Sequence, residues 1–234
     1  MENKINEVGA GVEKTEIIKQ KAAGGTATLN TNINNSTTSI QEASANVNGG
    51  AVEKGNKFKL PRQLRRVGFG FCKVKYGAKR PFETEWQKKP YSYEEIEQYM
   101  SEGYGSYGVQ GGYGGLIIID ADSRAVVEAV EQNLPETFTI KSHGDRRHYY
   151  FLCSEIKNKI CFDDKITPTM LQEGETHYGE IISGGGQVVG PGAIHPEAQT
   201  FYEVVADVEI ATVTYEQVMS AIVDFINMSA LHTA

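Results

Sequence analysis

Leu116-Ile117-Ile118-Ile119-Asp120-Ala121-Asp122 is the stretch whose reading decides the fold. Four consecutive branched apolar residues predict a strand buried on both faces. Two carboxylates stand at its end. Side chains at i and i+2 of a strand leave from the same side, so Asp120 and Asp122 project together. Like charges that close repel unless a cation neutralises them. The usual solution is a hard divalent ion with oxygen ligands, Mg²⁺ or Mn²⁺, bridging to substrate phosphates. The alternative is that one of the pair caps the helix beginning near Ser123, although Ser123 can cap it alone.

Working outward, the pattern is that of an α+β domain. Before the central strand, Leu60–Arg66 predicts a short basic helix and Phe69–Tyr76 a strand. Ser92 with Glu95 three residues on forms a capping box for a helix to about Ser101. A glycine-rich approach, 103–115, leads into Leu116. After the central strand, Val126, Val127 and Val130 give one apolar helix face. Strands are predicted at 137–141 and 147–152, joined by the turn His143-Gly144-Asp145. Residues 154–175 predict loop with some helix. Further strands are predicted at 178–183, 187–189 and 200–205, and helices are expected on one side of the sheet. Thr214, with Gln217 as capping partner, opens a last helix that buries Val218, Ile222, Phe225 and Ile226.

Three further features carry chemistry. Glu180 can complete a carboxylate set with Asp120 and Asp122; the alternative is an exposed strand glutamate. The turn Ser142-His143-Gly144-Asp145-Arg146-Arg147-His148 delivers two guanidinium groups and an imidazole to the start of a strand, the donors a triphosphate needs. Gly184-Gly185-Gly186 and Gly190-Pro191-Gly192 permit close approach of a ligand to the backbone, or form a hairpin that binds nothing. No GxxxxGK[ST] occurs, so a Walker-type motor is excluded.

The 234 residues carry a net charge of −7, and the charge is unevenly spread. Residues 57–90 hold 11 basic and 2 acidic groups, whereas residues 91–234 hold 7 basic and 22 acidic ones. Within that cationic block, Lys79, Arg80, Arg65, Arg66, Lys73 and Lys75 suit a phosphate backbone, with Tyr76 and Trp86 as stacking or core aromatics; a merely solvated basic surface is the alternative. The three cysteines, Cys72, Cys153 and Cys161, are far apart and include no CxxC, which speaks against a zinc site and against a disulfide framework. No apolar run is long enough to span a membrane, and no signal-peptide pattern opens the chain. Residues 1–56, rich in Ala, Asn, Thr, Ser and Gly, read as a disordered tail.

Taken in order, these motifs resemble the bifunctional primase–polymerase (prim-pol) branch of the archaeo-eukaryotic primase superfamily, over roughly residues 64–205. The resemblance rests on Gly68–Phe71, Gly77–Trp86, Tyr107-Gly108-Val109, the strand ending in Asp120-Ala121-Asp122, Leu134-Pro135 with Thr137, His148–Phe151, and Glu180 with Gly185–Val189 and Pro191. It implies an RRM-like antiparallel sheet lobe and a second mixed αβ lobe, with the active site in the cleft between them. It implies a catalytic domain over 57–212, with 213–234 as a C-terminal helix packed on or extending it. Asp120, Asp122 and Glu180 correspond to the family's catalytic metal ligands, for two Mg²⁺ or Mn²⁺ ions. His148, with Arg146, Arg147 and Ser142, corresponds to the nucleotide-phosphate site. The third acidic position is often Asp in relatives, so Glu180 departs mildly. The basic turn before His148 departs from a smaller, glycine-rich one.

The activity so implied is template-dependent nucleotidyl transfer, as DNA primase, DNA polymerase or both, with dNTP or NTP as substrate and DNA as template and primer. A plasmid, viral or prophage replication protein of the prokaryotic cytoplasm, with a separate helicase, is the implied setting. Two rivals stand beside it: a non-catalytic nucleic-acid-binding initiation module, and a DxD glycosyltransferase using a nucleotide-sugar.

Overall fold

The computed structural model describes residues 57–103, 105–162 and 170–226, all within one compact unit, Ile40–Ala234. The expected tail over 1–56 and the last residues of the expected C-terminal helix lie outside the described residues. The observed fold is α+β, built on two antiparallel sheets. Strands β1 (Gly70–Val74), β2 (Ser106–Gln110) and β8 (Gln187–Val189) form a three-stranded sheet in the order β1-β2-β8. The larger sheet runs β6 (Ile160–Cys161), β7 (Gly179–Ile182), β3 (Leu116–Ala121), β5 (Arg147–Leu152), β4 (Thr139–Lys141) and β9 (Glu203–Ala206). β10 (Ala211–Thr212) adds a short parallel pairing to β5.

The central strand is buried on both faces, as its apolar run requires. Ile117, Ile119 and Ala121 belong to one core, with Tyr149, Phe151 and Ile181 from the neighbouring strands. That core is closed by helices α2 (Arg124–Asn133) and α3 (Tyr215–Ala221), which contribute Val126, Val130 and Val218. Leu116 and Ile118 face the other way, into a second core with Tyr150 and Ile182. There the cover is the three-stranded sheet, through Phe71, Val109 and Val188, together with Ile96 and Tyr99 of helix α1 (Tyr93–Ser101). Helices therefore do not lie on one side alone, and the small sheet does on one face what helices do on the other.

The helix starts follow local chemistry. Ser92 accepts from the Glu95 backbone N–H while the Glu95 carboxylate takes the Ser92 N–H, and Thr214 and Gln217 repeat the arrangement. Ser123 accepts from the Val126 N–H. Each such cap stabilises its helix by about 1 kcal/mol. Other expectations shift. The basic helix contracts to one 3₁₀ turn, Arg62–Leu64, and Glu97 ion-pairs with Lys59 and Arg65 on either side of it. The strand expected over 200–205 begins at Glu203, since Ile194 and Phe201 pair across a tight hairpin and Tyr202 donates back to Ala193. β2 was hidden by its glycine-rich surroundings, and β6 is two residues long within a stretch read as loop. The last helix ends at Ala221 and continues as a 3₁₀ turn, yet Val218, Ile222, Phe225 and Ile226 are all buried.

Gly179 sets the approach of β7 to β3. Its φ is 121°, in the left-handed region, and an added Cβ would collide with the Asp120 carbonyl oxygen. Beside it, the Asp122 N–H donates to the Tyr178 carbonyl at 2.9 Å. Gly179→Ala is expected to cost about 2–4 kcal/mol, combining a forbidden φ with a backbone clash. Urea denaturation checks this, and an unchanged midpoint would show that β7 does not lie so close.

Candidate active site

Register across the large sheet assembles the acidic site. Asp120 lies directly opposite Glu180 on β7 and opposite His148 on β5. Opposed residues of an antiparallel pair point to the same face, so a single row carries Glu180, Asp120 and His148. Asp122 follows just past the end of β3. The structure thus brings together five of the residues singled out in the sequence: Asp120, Asp122, Glu180, His148 and Arg146.

Each carboxylate already faces a donor from the protein. His148 Nε2 lies 3.4 Å from Asp120 Oδ1. Arg146 Nη1 is 3.7 Å from Asp122 Oδ1, and His177 Nδ1 is 3.5 Å from Asp122 Oδ2. Lys159 Nζ is ion-paired with Glu180 Oε2, whose other neighbour is the Cys161 thiol at 3.8 Å. Lys159 and His177 were missed from sequence.

The electrostatics show how far these donors fall short. Burial and then the nearby Glu180 raise the Asp120 carboxyl to about 7. Burial and then Asp120 raise Asp122 to about 6. The two anions are held at a cost that the surrounding cations reduce without removing. His148 is pushed down to about 4 by burial, so it is neutral at pH 7. Its Nε2 faces Asp120, and its Nδ1 is buried without a hydrogen-bond partner among the described residues.

A line of rings flanks the row. His143 and His195 lie 4.4 Å apart between centroids, Tyr202 follows 5.7 Å from His195, and His148 is 5.6 Å beyond. Burial lowers His143 and His195, helped by Arg146 at His143 and by Lys79 at His195.

The remaining candidates are placed as follows. Ser142 is buried at the base of the turn, where its N–H donates to the Arg146 carbonyl. Arg147 is not brought to the row. Strand alternation sends it to the opposite face, where it lines a cavity of about 400 Å³ with Glu131, Tyr149 and Val205. Among the basic-block residues, Lys79 reaches the site, close enough to act on Asp120 and His195. Arg65 pairs with Glu97 at 2.9 Å and Lys73 with Glu83 at 3.6 Å. Arg66 stands over Phe69 and Lys75 over Phe82, and Arg80 is exposed.

Among the described residues, no three His, Cys, Asp or Glu side chains converge tightly enough to enclose a metal ion as they stand. The donor chemistry nonetheless fits a hard cation: Asp120, Asp122 and Glu180 offer only oxygen, and burial with a neighbouring carboxylate raises the first two, a cost that a bound cation would lower. Lys159 would have to release Glu180.

An acidic row on a buried antiparallel sheet, bordered by arginine, lysine and imidazole, is the equipment of a phosphoryl- or nucleotidyl-transfer enzyme. A family model for the bifunctional DNA primase/polymerase N-terminal domain matches residues 61–214, about two thirds of the chain. The chain belongs to that family, whose chemistry is nucleotidyl transfer of the DNA primase/polymerase type. No curated protein matches it. Among the described residues, no helix is long and apolar enough to cross a membrane.

The raised carboxyls make a test of stability against pH. Their folded values, about 7 and about 6, lie above the ordinary 3.8. A carboxyl that binds its proton more tightly in the fold destabilises it as pH rises from about 4 to about 7, and the loss is complete above that. Asp120→Asn should therefore raise the stability of the metal-free protein at pH 8 by on the order of 1–2 kcal/mol and flatten the fall between pH 5 and pH 8. Thermal melts in chelator check it; a variant less stable than wild type at pH 8 contradicts the electrostatic account.

Proposed function

We propose that the chain extends or initiates nucleic-acid chains on a DNA template, using two divalent ions, Mg²⁺ or Mn²⁺, held by Asp120, Asp122 and Glu180. The observation that carries this reading is the register Glu180–Asp120–His148, which places two acidic groups and an imidazole in one row. Bound ions would activate the attacking 3′-hydroxyl and neutralise the leaving pyrophosphate.

The chain's own residues do the rest. The carboxylates fix where the cations sit. Arg146, now on Asp122, and Lys79, now 3.6 Å from Glu197, are the cations within reach of a triphosphate. Neutral His148 presents its Nε2 to Asp120 and adds no net charge to the site. Substrate would lie at the end of the large sheet where Asp120, Asp122 and Glu180 emerge, beyond the core that this sheet shares with the three-stranded one. Plasmid, viral or prophage replication in a prokaryotic cytoplasm, alongside a separate helicase, is the setting that fits.

One observation favours the inert binding module instead. Lys159 sits on Glu180 as an internal counter-ion, as it would in a protein that never takes up metal. A primer-extension and primer-synthesis assay separates the readings. Wild-type protein should incorporate dNTP or NTP on single-stranded template only with Mg²⁺ or Mn²⁺. Asp120→Ala and Glu180→Gln should each lose about 10³-fold or more. Wild type that makes no product with either metal, indistinguishable from Asp120→Ala, would sink the proposal.

A further inference from the structure

Tyr76 and Phe82 are 58% and 47% exposed, and they bracket a loop that needs no large apolar side chain for its own folding. The antiparallel bridge Val74–Pro81 folds this loop back on itself. Val74 is fully buried, so alternation turns Lys73 and Lys75 outward. Phe82, one residue past Pro81, comes to the same side, with the Lys75 ammonium 6.0 Å from its ring centre. Lys73 stands 4.2 Å over the Tyr91 ring. At the tip, the Ala78 N–H donates to the Lys75 carbonyl and Gly77 takes a φ of 67°, a turn that leaves Tyr76 in solvent.

The loop therefore offers two exposed rings, Tyr76 and Phe82, among its cations. From Lys75 to Phe82 there are three cations, Lys75, Lys79 and Arg80, and no carboxylate. Glu83, the next residue, is occupied by Lys73 at 3.6 Å and by the Tyr91 hydroxyl at 3.0 Å. The loop also lies toward the acidic row: the Lys79 carbonyl accepts from the Gln187 side chain on β8 at 2.8 Å, and the Lys79 ammonium is 3.6 Å from Glu197, two residues from His195, whose ring joins His148 through Tyr202.

We propose that the loop from Lys75 to Phe82 is a docking surface for single-stranded DNA, with unpaired bases stacked on Tyr76 and Phe82 and phosphates on Lys75, Lys79 and Arg80, the strand running from there toward Asp120. Duplex does not suit this surface, because paired bases present their faces to each other and not to protein rings. Stacking on open rings is tolerant of sequence, and the cations make binding salt-dependent. The proposal rests on the preceding reading only in taking the strand to be DNA, a template on its way to the acidic row.

Fluorescence anisotropy of a labelled oligothymidine and of a blunt duplex, with the full chain in chelator, tests it without any catalysis. The Tyr76→Ala/Phe82→Ala variant should bind the single strand roughly 10- to 100-fold more weakly at an unchanged salt slope. Lys75→Gln/Arg80→Gln should lower that slope by about 1–2. Both variants alter exposed groups and should melt with the wild type, and duplex binding should not follow the aromatic substitutions. Wild type with no affinity for the single strand, unchanged binding by the aromatic variant, or an equal loss on duplex each overturns the proposal. Nucleotide incorporation by wild type is scored separately: surface binding without incorporation leaves the surface and removes the reading above, and incorporation with an indifferent aromatic variant does the reverse.

Discussion

The site depends on strand register. Asp120 is opposite Glu180 on one side and His148 on the other only because β3 pairs antiparallel with β7 and β5 at one particular alignment. The apolar residues enforce that alignment. Ile117 and Ile119 fill one core and Leu116 and Ile118 the other, so a one-residue slip would exchange the contents of both. Burial on two faces thus fixes the positions of charged groups that contribute nothing favourable to folding themselves.

The same burial makes those charges costly. Asp120 and Asp122 are raised far above an ordinary aspartate, and the fold meets them with groups of its own: His148, Arg146, His177 and, at Glu180, Lys159. Stability and function pull apart here. The core would be better served by neutral side chains at these positions, and the proposed metal binding supplies a reason for the carboxylates.

Much of this was legible in the sequence where the signal was local. The run 116–119, the Ser92–Glu95 and Thr214–Gln217 boxes and the Ser123 cap each depend on residues within four positions of one another, and each formed as read. β2 was not legible because Gly105, Gly108, Gly111 and Gly112 dilute any periodic signal, although Gly108 is small for a reason: a side chain there would meet Gln187 and Cys72. Lys159 and His177 were out of reach because their partners lie 21 and 55 positions away. Arg147 was misplaced for a different reason. Adjacency to His148 suggested a shared role, whereas the alternation that unites Asp120 with Asp122 separates Arg147 from His148.

The turn between β4 and β5 is exposed only at Gly144 and Asp145, with Ser142 buried at its base. Surface loops ordinarily tolerate insertion or deletion, and here β5 is held by Tyr149, Tyr150 and Phe151, which fill both cores. An added residue would therefore be absorbed within the turn, leaving His148 in the row. What it would move is Arg146, whose guanidinium reaches Asp122 from the turn itself. The imidazole is thus set by the sheet and the guanidinium by the loop, and the two donors answer to different constraints.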